Sequence, residues 1–390
     1  MQIDLTAEQK NLREELRAYM GKLLTPELEK ELETSEGGGP EYTKAMHQMG
    51  KDGWLGIGWA KEFGGQQRPA IEQFIFFDEV QRAGFPIPIL TLNTVGPTLA
   101  TFGSDEQKDF YLPKILAGDL HFSIGYTEPD AGTDLASLKT TAVLDGDEWV
   151  INGQKIWTSL ASHADYIWCA VRTDPDAKKH KGISMIIVPT DAEGFSMTPI
   201  KCMGENETFA CYYDNVRVPK DNLVGGLNQG WKMITTQLNH ERVALMAVGP
   251  LQRFLEEITA WAKSVQLADG RRYIDEPWVQ RNLAHVQAHT EVLKLMNWRQ
   301  AQNIDLGELA PAEASAIKVF GSEYFIEGYR ILMEVLRESG YLKKGSAGAV
   351  LDGRIERYYR ALLILTFGGG TNEVQRDIIA MAGLYMPRAR

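Results

Sequence analysis

Polar and apolar positions along this chain fall into three successive textures. Near the start, Thr6 followed three residues later by Gln9 has the form of a capping box, and Leu12, Leu16 and Met20 then recur on one helical face. The pattern predicts a helix opening at Thr6. A GGGPEY cluster interrupts the texture before KAMHQMGKDGWLGIGW, and SDEQKDFYLPKILAG later offers Ser104 as an N-cap and Gly118 as a stop. Residues 1–121 therefore read as an α-helical domain. From 122 to 230 the runs shorten and become β-prone (TTAVL, EWVING, YIWCAVR, ISMIIVP), parted by Asp-Gly, Asn-Gly and glycine-rich turns. Residues 231–390 return to long helical periodicity, broken at LADGRRYIDEPW and at the glycine-rich FGGGTNE. The expected fold is α+β and multidomain, in α-β-α order and without an internal repeat.

Composition narrows the function classes. A chain of 390 residues suggests two or three packed units with clefts between them, and 44% hydrophobic against 24% charged residues is the balance of a globular protein. The apolar stretch from Ala361 to Phe367 is far too short to span a bilayer, and the first twenty residues lack a basic front followed by an apolar core, so a cytoplasmic location is expected. Cys169, Cys202 and Cys211 have no CxxC spacing and read as packed thiols of a reducing compartment, and no metal site is expected. A net charge of −11 argues against general nucleic-acid binding, which rests on neutralising phosphates with Lys and Arg.

Two segments of the β-prone region carry more polar chemistry than turns require. In FSIGYTEPDAGTDLASLKTTA, Gly132 permits close backbone approach to a flat ligand, while Thr127 and Thr133 supply hydroxyls and donors for ring heteroatoms. In INGQKIWTSLASHADY, Trp157 stands beside Thr158 and Ser159 just after an Asn-Gly turn, where its plane could stack near a cofactor ring. Taken alone, Trp157 reads more naturally as a buried core residue. There is no GxGxxG after a strand and no GxxxxGK[ST] phosphate loop.

Together these segments, Glu241-Arg242 and FGGGTNEVQRDIIA make the chain resemble the acyl-CoA dehydrogenase family along its whole length, closest to actinobacterial subunits that act on steroid side-chain CoA thioesters. The residues that carry the closer likeness are YTEPDAGTDLAS, ADYIW, HKGIS, the helix ending in Glu241-Arg242, and TFGGG. The resemblance implies an N-terminal helical domain, a central β domain and a C-terminal four-helix bundle, with FAD at their junction. By motif position it implies that Ile124, Tyr126 and Thr127 line the flavin ring, that Gly132 and Thr133 lie beside flavin or thioester, and that Trp157 and Ser159 flank the ring. Thr371 and Glu373 fall in the segment the family uses around the flavin and its linker, and Arg242 on the substrate side. Implied partners are the acyl-CoA substrate, a homologous subunit in an α2β2 heterotetramer, and an electron-transfer flavoprotein as acceptor.

Two departures from the family pattern shape the expected chemistry. Gly369 occupies the position at which many members carry the catalytic carboxylate, and glycine cannot take a proton. Glu241 is the expected replacement, because a minority of the family places its base there. It would remove the α-proton of the thioester while the β-hydrogen leaves as hydride to the flavin, and the backbone N–H of Gly369 would bind the thioester oxygen. Secondly, the family's phosphate-binding stretches are degraded: DGRRYIDEPW and MEVLRESGY place Glu334, Arg337 and Glu338 where Gln and two glycines are usual. Carboxylates beside a pyrophosphate are unfavourable, so the missing half is expected from the homologous partner. Alternatives on the same scaffold are an acyl-CoA oxidase, a flavin monooxygenase, or a non-catalytic DNA-associated relative.

Overall fold

The computed structural model describes residues 4–33, 35, 37–240, 246–308 and 311–387. It opens with six helices: α1 (Ala7–Leu23), α2 (Pro26–Leu32), α3 (Pro40–Lys51), α4 (Ala70–Ala83), α5 (Gly96–Phe102) and α6 (Asp105–Ala117). The capping box at Thr6 and Gln9 is formed in both directions, and Leu12, Leu16 and Met20 are buried. Ser104 likewise caps α6, which ends on Gly118 in the left-handed conformation (φ 79°) that glycine tolerates best. Before α5 the chain makes a π-helical turn, Leu90–Val95.

Eight strands follow: β1 (Phe122–Gly125), β2 (Thr141–Asp145), β3 (Glu148–Ser159), β4 (Tyr166–Arg172), β5 (Ile183–Pro189), β6 (Phe195–Lys201), β7 (Glu207–Pro219) and β8 (Leu223–Val224). Their order is β6-β7-β3-β2-β4-β5-β8, with β1 parallel to β4. The two-residue period sorts side chains to opposite faces. Trp168 and Ala170 of β4 join Ile183, Met185 and Ile187 of β5 in the core shared with the N-terminal helices. Ile167, Cys169 and Val171 face the other way, with Ile186 and Val188, into the sheet's own core.

Among the described residues six further helices follow: α7 (Gly230–His240), α8 (Gly249–Ser264), α9 (Pro277–Asp305), α10 (Pro311–Val335), α11 (Arg354–Ala361) and α12 (Asn372–Ile378). A second π turn, Ile379–Gly383, follows α12. Helix α4 ties the two helical regions together. Buried Glu79 accepts from Arg17 of α1 at 2.7 Å, Asp78 accepts from the N–H of Gly249 at 2.8 Å, and the N–H of Ala70 donates to Asp305 at 2.7 Å. Among the described residues no helix is long and apolar enough to cross a membrane.

Candidate active site

The cavity of interest opens where the β-sheet, α7, α10 and the loop before α12 meet, and holds about 450 Å³. One wall begins with the segment after β1. Ile124, Tyr126, Thr127, Gly132 and Thr133 all line the cavity. Their loop is fixed from beneath by a buried ion pair: the Lys155 ammonium donates to Glu128 at 2.8 Å and to the Tyr126 carbonyl at 3.1 Å. Glu128 also accepts from the N–H groups of Lys139 (2.6 Å) and Thr140 (2.9 Å). Burial alone would raise its pKa, but the facing Lys155 and these donors hold it below the usual carboxylate value.

Strand β3 supplies the neighbouring wall through an irregularity. Its pairing with β7 slips between Lys155 and Thr158, and Trp157 within the slip has φ 62°. A positive φ is rare for an aromatic residue and marks local strain that the surroundings must hold. The N–H of Ile156 donates to the Thr127 carbonyl at 2.8 Å, and the Ser123 hydroxyl to the Ser159 carbonyl at 2.8 Å, locking the two segments side by side. The consequence is that Trp157 stands 55% exposed on the cavity wall. Its single-residue reading as a core tryptophan is thereby corrected, since the bulge turns the ring out of the sheet. Ser159 lines the cavity beside it.

The facing wall is helical. Gly369, Gly370 and Thr371 contribute, with Gly369 and Gly370 at φ 67° and 91°. A Cβ added at Gly369 would meet nothing within 4 Å. Lys318 of α10 holds this turn, donating to the Gly370 carbonyl and to Asn372 Oδ1, both at 2.7 Å. Burial pulls the Lys318 pKa down to about 8 against the opposing pull of Glu373 and Glu323. Gln375 donates to the Gly369 carbonyl at 3.3 Å, and the Thr371 hydroxyl caps α12. Glu373 does not line the cavity; it is exposed in the first turn of α12.

Glu241 and Arg242 lie outside the described residues. The cavity-lining residues Gln237 and Met246 flank their segment in the sequence. Sequence reasoning missed Lys318, although it is the only charged residue between Glu313 and Glu323 in a largely apolar run, which was a usable signal. It also missed Thr94, Trp231 and Gln237, whose roles in the lining depend on how α7 packs against the Leu90–Val95 turn. Among the described lining residues Lys318 is the one fully charged side chain, and no carboxylate is present.

The matched family models are the acyl-CoA dehydrogenase N-terminal domain over residues 6–119, the middle domain over 123–216 and the C-terminal domain over 228–384. The chain belongs to the acyl-CoA dehydrogenase family. It is therefore an oxidoreductase by family, with the three-part fold expected of it. Acyl-CoA dehydrogenase FadE26 of Mycobacterium tuberculosis is 56% identical over 399 residues, covering 100% of both chains. Among solved structures, a chain of the ChsE4-ChsE5 complex from Mycobacterium tuberculosis matches with a TM-score of 0.94 and 57% identity, over 100% of each chain. A chain of the Tcur3481-Tcur3483 steroid acyl-CoA dehydrogenase matches with a TM-score of 0.94 and 51% identity, again over 100% of each.

The phosphate-motif region is filled with internal pairs. Arg337, at φ 51°, lies over the rings of Tyr273 and Trp278 at 4.8 and 5.6 Å. Arg330 is held by Glu327 and Glu334. Arg271 pairs with Asp269 and Glu276, and Arg272 with Asp275. Arg271, Arg272 and Arg330 are thus engaged by neighbouring carboxylates and Arg337 by two aromatic rings.

Proposed function

We propose that this chain is the ring-facing, base-bearing subunit of an FAD-dependent acyl-CoA dehydrogenase that introduces an α,β double bond into a bulky acyl-CoA, a steroid side-chain thioester above all. The observation that carries the reading is the convergence, in one cavity, of the Tyr126–Thr133 loop, the out-turned Trp157 and the Gly369–Thr371 turn. The lining suits a flavin: an aromatic plane, threonine and serine hydroxyls, one buried cation and no described carboxylate fit a flat heterocycle that gains negative charge on reduction.

Tyr126, Thr127, Thr133, Trp157 and Ser159 would hold the ring, with Thr371 near its linker. When bound, FAD supplies the acceptor for the β-hydride. The protein's own task is the α-proton. Gly369 has no side chain to take it, so the base is Glu241, and displacement of water by the acyl chain raises its affinity for that proton. The N–H of Gly369 stabilises the negative charge that develops on the thioester oxygen. Three successive glycines leave room around Cα, in keeping with a branched or ring-bearing acyl group.

The same reading places a homologous partner beside this chain in an α2β2 heterotetramer, because Arg271, Arg272, Arg330 and Arg337 are committed to internal contacts where a pyrophosphate needs free donors. The exposed apolar residues Phe367, Leu384, Tyr385 and Met386 offer a surface for that contact. A cytoplasmic setting and an electron-transfer flavoprotein as acceptor complete the proposal. The test is the visible flavin spectrum of the chain purified alone and after co-expression with a homologous subunit, each challenged anaerobically with steroid side-chain and straight-chain acyl-CoAs. Stoichiometric flavin only with the partner, bleached by the steroid thioester, is the expected result. A fully yellow chain that turns over alone would end the shared-site proposal.

A further inference from the structure

Two buried polar groups on the helical wall have no hydrogen-bond partner for one of their atoms among the described residues: Thr94 Oγ1 and Gln237 Nε2. Both residues line the cavity, and their exposures are 2% and 1%. Gln237 is half satisfied, since its Oε1 accepts from the Tyr126 hydroxyl, which leaves the amide N–H₂ as a pure donor. Thr94 is the exception on its own stretch of chain. A threonine in an α-helix can bond back to the carbonyl four residues earlier, as buried Thr98 does to Thr94 at 2.7 Å and exposed Thr101 does to Pro97 at 2.9 Å. Thr91 instead exchanges bonds with the backbone of Phe122. Thr94 sits in the π turn and makes neither kind of bond. The side chains of Leu90, Ile124, Ile234 and Met246 in the same lining offer neither atom a polar partner.

We infer that this wall recognises an oxygen function on the acyl group, a hydroxyl or a ketone, and selects against a hydrocarbon of the same shape. The inference rests on the acyl-CoA reading above: Gln237 lines the cavity and stands four residues before Glu241, the base of that reading, in the sequence. A substrate hydroxyl can accept from Gln237 Nε2 and donate to Thr94 Oγ1, and a ketone oxygen can accept from both. A purely hydrocarbon acyl chain would strand both groups in a dry pocket. Sites built to bond an oxygen reject the analogue that lacks it far more strongly than apolar pockets reject an extra methylene.

The test uses the flavin-loaded heteromer and enoyl-CoA products, which bind without turnover, so that affinity is read from the perturbation of the flavin spectrum. Pairs share one carbon skeleton and differ only by a hydroxyl or keto group, moved outward from the γ carbon one position at a time. At one position the oxygenated member should bind at least about tenfold more tightly. Gln237→Leu and Thr94→Val should each shrink that preference, and the double variant should remove it. Equal binding at every position in the unmodified protein overturns the inference and needs no variant to do so. A preference that survives the double variant also overturns it, since some other group must then read the oxygen. If no enoyl-CoA of either kind perturbs the flavin, the dehydrogenase reading fails and takes the inference with it.

Discussion

The two walls of the cavity are held in opposite ways. The β-domain wall is over-determined. A buried lysine and a buried glutamate meet beneath it, two backbone amides add to the glutamate, and the strained Trp157 backbone is stitched to the Thr127 loop by a hydrogen bond at its neighbour. The helical wall turns on glycines whose carbonyls are held by two side chains, Lys318 and Gln375. Such an arrangement suits a division of labour. A ring cofactor needs one fixed plane, while the opposite wall carries Gly369, where the sequence departs from the usual pattern of the family, and on the proposed reading faces the acyl group. The comparison makes the β wall the place to look for cofactor binding and the helical wall the place to look for specificity.

The largest expected effect tests the proposed chemistry of the helical side. Glu241→Gln should keep the flavin spectrum and acyl-CoA binding while lowering turnover on the order of 10²–10⁴-fold, measured by anaerobic flavin reduction. Near-normal reduction would remove Glu241 from the mechanism. Next comes the β wall. Lys155→Met leaves Glu128 as an uncompensated buried charge, and such losses cost about 3–5 kcal/mol. The variant should melt earlier and purify with less flavin. Full flavin content at unchanged melting temperature would show that the ion pair does not hold the wall.

Lys318→Met sharpens the contrast, because it strips the glycine turn of its main support. The loss of hydrogen bonds from a charged donor predicts about 1.5–3 kcal/mol of destabilisation. The pH dependence has a definite sign. Native Lys318 releases its proton at about 8, whereas an unfolded lysine holds it to roughly 10.4. Between those values the unfolded chain binds the extra proton, so wild-type stability gains with rising pH, and below pH 8 the full cost of burying the ammonium is carried. The stability gap between wild type and variant should therefore widen from pH 8 to 10 in denaturant titrations. A constant gap would mean that Lys318 titrates as an ordinary lysine.

Much of this arrangement could be read from residues alone, and the limits have physical reasons. Caps at Thr6 and Ser104 are local signals and appear as expected. Residues of the Ile124–Thr133 and Trp157–Ser159 segments meet at one cavity, as the resemblance to the family implied rather than any periodicity of their own. Trp157 taken singly misled, since a bulge that turns one side chain outward leaves no trace in hydrophobic periodicity. Thr94 and Gln237 were invisible for another reason: an unpaired buried atom is a property of tertiary packing, and a π turn has no sequence period of its own. Lys318 could have been found, as a lone cation in a largely apolar run.

The smallest predicted effect is the most direct comparison of the two walls. Gly369→Ala places a methyl group on a residue at φ 67°, where a non-glycine residue is disfavoured by about 1 kcal/mol, but the space around it is open to 4 Å. Stability should fall by about that amount, and turnover by less than about tenfold. The reason is that the N–H proposed to bind the thioester oxygen survives the substitution while only the freedom of the turn is reduced. If turnover collapses while the protein stays folded and yellow, then the glycine turn needs left-handed freedom during the reaction. The helical wall would then be as exacting as the β wall, and the division of labour between them would have to be abandoned.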